Sequence, residues 1–209
     1  MISTTTKQII ARHSVLICTI LAGICLITAA LGYPGGSLSD AHSTGFDWSK
    51  NFISNLFQEK AINGMENKAR IWAIVGMAFH SVGDGLFFIN MSQRIPVKHV
   101  TMVLKTVGIA NIAFNFMIAT PLHDAMVVLS STLSLLGLFY ITVYVLKSKL
   151  HFLKICCVAC MLIFYYTLFL YGSGDWGWLA VMQKVALICS TLLILGITYW
   201  TKKEDFINF

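Results

Sequence analysis

Residues 14–32 read SVLICTILAGICLITAALG and contain no charged side chain. A helix needs about 20 mainly apolar residues to cross the hydrocarbon core of a bilayer, and this stretch supplies them. Comparable stretches follow near residues 70–90, 100–119, 121–146, 152–171 and 178–200. The sequence therefore predicts an all-α fold, with residues 1–209 forming a single polytopic transmembrane helical bundle of six helices.

The composition agrees with a membrane protein and argues against nucleic-acid binding. The chain is 57% hydrophobic and 11% charged, whereas soluble domains carry about 25% charged residues. The net charge of +6 comes from cations scattered at the ends of the predicted helices. A nucleic-acid site would instead cluster such cations on one face. No nucleic-acid partner is therefore expected, and membrane lipids are.

The connections between the predicted spans differ in length and character. The longest is a polar loop over residues 33–69. Thr120 suits an N-cap and Pro121 suits a first helical position, so the fourth helix is expected to begin near Pro121. The first span also has features of a cleaved signal peptide, but its length and the five spans after it favour a retained helix.

The distribution of cations predicts the orientation of the bundle. Short loops with an excess of Lys and Arg stay on the cytoplasmic side. Placing both termini in the cytoplasm gives ten inside cations: Lys7, Arg12, Arg94, Lys98, Lys105, Lys147, Lys149, Lys154, Lys202 and Lys203. Only four then lie outside: Lys50, Lys60, Lys68 and Arg70. This bias suits a bacterial inner membrane and a eukaryotic endomembrane or plasma membrane equally.

The six cysteines all lie inside apolar stretches. Cys157 and Cys160 form a CxxC, a spacing that can indicate redox or metal chemistry. In an apolar helix free cysteine behaves as a small hydrophobic residue, so packing is the favoured interpretation. No cofactor is predicted.

Ionisable residues inside a span are costly and usually face the interior of the bundle. His80 and Asp84 are four residues apart on one face of the second span. Similar polar stripes occur on three other spans: Lys105, Gly108, Asn111 and Asn115 on the third; His123, Ser130 and Ser134 on the fourth; Lys184 on the sixth. Asp84 and Lys105 fall at the same depth, about 21 Å from the outer boundary. They are a candidate buried ion pair, unless Lys105 extends to the inner interface.

The shallower polar groups suggest a pocket that opens toward the outer leaflet. Its candidate lining residues are His80, Asn111, Asn115, His123, Asp124 and Lys184. Such a pocket would bind a lipid headgroup or another small amphiphile, with the cation of Lys184 facing an anionic group. The alternative is that these side chains only join the helices through hydrogen bonds.

Two further functions compete with simple binding. His80, Asp84 and His123 are permissible zinc ligands, with Asp124 nearby, which would suit an intramembrane metal-dependent hydrolase. No HExxH spacing supports this, so an enzyme is the less favoured interpretation. A transporter subunit is the other alternative, although no internal repeat or broken helix pair is visible.

Four short motifs, taken in their order along the chain, resemble those of a known family. They are Asn51-Phe52-Ile53-Ser54-Asn55-Leu56 after a Pro-Gly dipeptide, the glycines of the second span, Pro121 with His123, and Gly177 followed by Gln183-Lys184. In this order the chain resembles the six-helix membrane proteins labelled domain of unknown function 998, and more remotely the Frag1/DRAM/Sfk1 membrane proteins. The resemblance implies a six-helix bundle and shared positions at Asn51, Ser54, His123, Gln183 and Lys184. Phe57 departs from the glycine expected after the Ile-Ser-x-Leu element.

A second resemblance points to the hydrolase alternative. Asp47-Trp48, Ser54-Asn55-Leu56-Phe57 and Phe79-His80 are similar to elements of the alkaline ceramidases and their intramembrane zinc relatives. Those proteins also need a seventh helix with a histidine pair. The last histidine of this chain is His151, so the zinc site implied by this resemblance would be incomplete.

Overall fold

The structure is a computed structural model that describes the backbone of residues 4–207 and the side chains of residues 13–207. The described residues form six long helices: α1 (Thr4–Leu31), α2 (Arg70–Arg94), α3 (Lys98–Met117), α4 (His123–Lys147), α5 (His151–Ser173) and α6 (Trp176–Trp200). Each is long and apolar enough to cross a membrane, which fits an integral membrane protein. The predicted all-α, six-helix class is confirmed. The N-terminal cations Lys7 and Arg12 lie outside the described side chains.

The start of α4 differs slightly from the sequence prediction. The helix begins at His123, with Leu122 as its N-cap, rather than near Pro121. The hydroxyl of Thr120 donates to the carbonyl of Met117 and accepts from the amide of Leu122. Thr120 therefore closes the turn after α3, and Pro121 lies in that turn instead of the first helical position.

The first three helices pack closely because glycines lie where they cross. An ideal Cβ on Gly85 of α2 would lie 2.6 Å from the carbonyl oxygen of Gly108 on α3. An ideal Cβ on Gly108 would lie at the same distance from the carbonyl oxygen of Gly85. Gly76 and Gly83 lie against Cys25 and Cys18 of α1. Small residues let membrane helices approach to backbone distance, so α1, α2 and α3 form a tight layer.

The end of the bundle near Arg94 holds the larger apolar core. Its fully buried side chains include Phe87, Met91, Leu104, Ile141, Val145, Cys157, Ile197 and Phe206, the last on a short 3₁₀ helix after α6. The guanidinium of Arg94 donates to the carbonyls of Ile197 and Thr201 at 3.2 and 2.9 Å. The carbonyl of Ile197 also accepts from the backbone amide of Thr201, so the guanidinium adds a second partner there. These bonds attach the end of α6 to α2.

Residues 33–69 form a folded cap at the opposite end of the bundle, which we call the loop end. A short 3₁₀ helix, Ile53–Phe57, buries Leu56 and Phe57 against α1 and α2. Asn67 is also buried, and its side-chain nitrogen donates to the carbonyl of Leu56 at 3.0 Å. The cap is therefore an ordered unit with its own core, where the sequence indicated only a polar loop.

A glycine pair and a buried tyrosine shape the first part of the cap. Gly36 has a φ of +83°, and a Cβ there would lie 2.4 Å from the backbone nitrogen of Asn63. Only glycine fits this backbone without strain. The hydroxyl of Tyr33 accepts a hydrogen bond from the amide of Ile62, and burial raises the pKa of this tyrosine.

Candidate functional site

A cavity of about 410 Å³ lies between α2, α4, α5 and α6. Ligand pockets in proteins commonly enclose about 300–1,000 Å³, so this volume suits a small molecule. Residues Phe52, Ile53, Ser54 and Phe57 of the cap line its loop end. Leu193 lines its deep end and lies 17 residues beyond Trp176, the first residue of α6. At 1.5 Å per residue the cavity therefore reaches about 25 Å into the bundle.

The carboxylate of Asp84 is the centre of a hydrogen-bond network that joins three helices. Its Oδ2 accepts from the amide nitrogens of Asn111 and Asn115 on α3, each at 3.1 Å. The same nitrogen of Asn111 donates to Ser134 Oγ at 2.8 Å, and Ser130 Oγ donates to Asn115 Oδ1. The predicted polar stripes of α2, α3 and α4 therefore meet in one network.

Asp84 does not pair with Lys105, contrary to the candidate ion pair. Lys105 is exposed, and no ion pair joins the two among residues 13–207. At about 100° per residue, Lys105 lies about 120° around α3 from Asn111 and about 80° from Asn115. The two residues match in depth, but Lys105 points away from the face that the asparagines present to Asp84.

Several polar groups that line the cavity have no partner within the described part of the chain. Asp84 Oδ1 accepts no hydrogen bond, because both asparagines donate to Oδ2. His80, one turn nearer the loop end, interacts electrostatically with Asp84 and makes no hydrogen bond among these residues. The hydroxyl of Ser131 is likewise unpaired there. His123 Nδ1 bonds Asp124 Oδ1 at 3.0 Å, which leaves its buried Nε2 without a partner.

The two sides of the cavity differ in polarity. Among the described residues, the carboxylate and imidazole side chains that line it lie on α2 and α4: His80, Asp84, His123 and Asp124. We call His80, Asp84, Asn115, Ser130, Ser131 and Ser134 the polar wall. The opposite side, which we call the apolar wall, is formed on α5 and α6 by Cys160, Phe164, Leu168, Leu179, Ala186, Leu187, Leu193 and Ile194. The hydroxyls of Thr167 and Ser190 on these helices bond to carbonyls of their own helix.

Gln183 and Lys184 hold the cap onto α6, and of the two only Gln183 also lines the cavity. Lys184 Nζ donates to the carbonyl of Asn51 at 2.6 Å and to the carbonyl of Ala180. Gln183 Oε1 accepts from the amide of Ile53 at 2.9 Å. Lys184 is not among the residues that line the cavity. The expectation that its cation faces an anionic ligand there is therefore wrong, because two carbonyls already occupy it.

Asn51 links this attachment to the rest of the cap. It is fully buried, its Nδ2 donates to the carbonyl of Gly36 at 2.7 Å, and its Oδ1 accepts from the amide of Asp47 at 2.9 Å. Hydrogen bonds from Ser49 lower the pKa of Asp47. Asn51 thus has a structural position, whereas Ser54 lines the cavity.

Replacing Lys184 with methionine is expected to loosen the cap. Two hydrogen bonds from the ammonium are lost, and each such charge-assisted bond contributes about 1.5–3 kcal/mol. Amide hydrogen exchange at residues 51–57 should therefore become about tenfold faster or more. Lys68→Met is the matched control, because Lys68 is an exposed lysine of the same cap. Unchanged exchange in Lys184→Met would show that Lys184 does not hold the cap.

The residues named for a zinc site do not form a ligand set. Among residues 13–207 no group of three His, Cys, Asp or Glu side chains is placed to hold a metal ion. His80 lies ten residues into α2, whereas His123 is the first residue of α4. At 1.5 Å per residue their depths differ by about 15 Å, so the histidines of the hydrolase alternative are too far apart along the bundle.

No family model, curated protein or solved structure matches this chain. The two resemblances described from short motifs therefore stay predictions, and the candidate site rests on its own geometry.

Proposed function

We propose that this chain is a non-catalytic integral membrane protein that binds an amphiphile in the cavity between α2, α4, α5 and α6. The polar end of the ligand contacts Asp84, His80 and Ser131, and its hydrocarbon part lies along the apolar wall. The observation that carries the proposal is the cavity itself, which has unpaired polar groups on one side and an apolar surface on the other. An amphiphile satisfies both surfaces, whereas neither a sugar nor a hydrocarbon does.

The unpaired polar groups on the surface of the cavity favour a ligand over a purely structural role. Interhelical hydrogen bonding accounts for Asn111, Asn115, Ser130 and Ser134, each of which has a partner on a neighbouring helix. It does not account for Asp84 Oδ1, Ser131 or His80. Unpaired polar groups inside a bundle are unfavourable, and a bound polar group would offset that cost.

The proposed topology places the mouth of the cavity on the outer side of the membrane. With both termini cytoplasmic, the loop end faces outward and residues 52–57 cover the cavity there. An amphiphile would then enter from the outer leaflet or the outer medium, past the cap that Gln183 and Lys184 attach to α6.

Native mass spectrometry of the full chain, extracted with its own lipids, tests this function. We expect one class of amphiphile to remain bound at a stoichiometry near one when surface lipids are stripped by increasing collision energy. Its share of the bound molecules should far exceed its share of the host membrane. Adducts that simply mirror the membrane composition and leave together on activation would contradict amphiphile binding in the cavity.

A further inference from the structure

We infer that the head group of this amphiphile carries a protonated amine, which pairs with Asp84. The inference rests on the proposed function and adds the chemical class of the ligand. It comes from the charges and the hydrogen-bonding groups that the described residues present to the cavity.

No lysine or arginine lines the cavity among the described residues. Three cations within or at the ends of the helices could have reached it, but each either donates hydrogen bonds to other groups or is exposed. Lys184 donates to the carbonyls of Asn51 and Ala180, Arg94 donates to the end of α6, and Lys105 is exposed. The two carboxylates that line it, Asp84 and Asp124, therefore face no lysine or arginine of the described residues. Their basic neighbours are the imidazoles of His80, beside Asp84, and His123, which bonds Asp124. An anionic head group such as a phosphate would meet these two carboxylates and no lysine or arginine of residues 13–207.

A carboxylate inside a membrane needs compensation for the hydration that it loses. The amides of Asn111 and Asn115 supply two hydrogen bonds, both to Oδ2. They bring dipoles but no positive charge. A cation at Oδ1 would supply the missing charge and the missing hydrogen bond together, and charge-assisted bonds of this kind are the strong ones.

The other unpaired groups near Asp84 can also accept hydrogen bonds. One is the hydroxyl of Ser131. It lies one turn toward the loop end from Ser134, which shares the side-chain nitrogen of Asn111 with Asp84. His80 lies one turn from Asp84 in the same direction. A primary ammonium has three N–H donors, as in lysine. Asp84 Oδ1, the Ser131 hydroxyl and a ring nitrogen of His80 are three acceptors on the same side of the cavity.

The apolar wall sets what the rest of the ligand must be. Phe164, Leu187 and Ile194 line the cavity opposite the polar wall. A hydrocarbon chain attached to the amine would lie against these side chains and remove apolar surface from water. The inferred ligand is thus an amine with a single hydrocarbon chain, rather than a small free amine.

The test compares three probes of equal chain length on the full protein in a maltoside detergent: dodecylamine, dodecanol and dodecyl phosphate. Binding is measured by native mass spectrometry across a concentration series. We expect dodecylamine to bind wild type about tenfold more tightly than dodecanol, or better, because only the amine forms a charge-assisted bond. Dodecyl phosphate should bind more weakly than dodecanol.

Asp84→Asn keeps the shape of the side chain and removes its charge, so the preference for the amine over the alcohol should disappear. Lys105→Met is the matched control, because it changes an exposed charge on α3 and should leave the preference unchanged. Equal binding of amine and alcohol to wild type would overturn the amine inference while leaving amphiphile binding intact. Failure of all three probes to bind would count against the proposed function itself. A loss of preference in Lys105→Met as large as in Asp84→Asn would overturn the inference, because the preference would then not depend on the Asp84 carboxylate.

Discussion

Gly108→Ala is expected to destabilise the protein by about 1–3 kcal/mol, the range found when a well-packed interior is overfilled. The new Cβ would lie 2.6 Å from the carbonyl oxygen of Gly85 and 2.9 Å from Ile89 Cγ1. The contact with Gly85 is to backbone, which cannot move aside as a side chain can. Helices α2 and α3 would have to separate, and Asn111 and Asn115 would move away from Asp84.

The matched control is Gly23→Ala in the middle of α1. An added Cβ at Gly23 meets nothing within 4 Å, and alanine has the higher helix propensity. This variant should be neutral or slightly more stable. Thermal unfolding of both variants in the same detergent measures the difference. If Gly108→Ala unfolds no earlier than Gly23→Ala, the close crossing of α2 and α3 is not part of the native structure.

Leu187→Trp is expected to reduce amphiphile binding more than tenfold while the protein stays folded. Leu187 lines the apolar wall, and the larger indole would occupy space that the hydrocarbon chain needs. Filling a cavity with apolar side chain commonly raises stability, so unfolding should occur at the same temperature or later. The result would separate loss of the ligand from loss of the fold.

Ile188→Trp provides the control for Leu187→Trp. Ile188 is the next residue along α6 and is 59% exposed, on the outside of the bundle. The same change of residue type there leaves the cavity open and should leave binding unchanged. Binding is measured for wild type and both variants with one amphiphile under one set of conditions. Undiminished binding to Leu187→Trp would mean that the ligand does not occupy this cavity.

The six helices were predictable because each apolar stretch is long enough to cross a bilayer by itself. The folded structure of the cap was not predictable, because it depends on contacts between residues far apart in the chain. The amide of Ile53 bonds Gln183 on α6, and Asn51 bonds Gly36 fifteen residues away. The sequence indicated Asn51 and Gln183 only through a resemblance, without showing that they belong to one attachment.

The polar network was partly predictable from helical periodicity. The spacing of His80 with Asp84 and of Asn111 with Asn115 predicts stripes that face the interior, and the structure joins Asp84 to both asparagines. Depth alone did not distinguish Lys105 from them, because residues at one depth can still point in different directions around a helix.

The apolar wall could not be identified from the sequence. Cys160, Phe164 and Leu187 line the cavity, but in the sequence they look like side chains that face lipid or the core. Ser131 was also missed, although it stands beside Ser130 and three residues before Ser134. Which of these residues faces a cavity depends on how α5 and α6 sit against α2, and that is a property of the packed bundle.

The most direct test of amphiphile binding is an experimental density map of the protein extracted in its native lipid. If an amphiphile is bound, continuous, elongated density should lie between the polar and apolar walls, with one end within about 2.7–3.2 Å of Asp84 Oδ1. The rest of that density should follow Phe164, Leu187 and Ile194. A closed interface in which α5 and α6 pack directly onto Asp84 and Ser131, with no space between the two walls, would contradict amphiphile binding there.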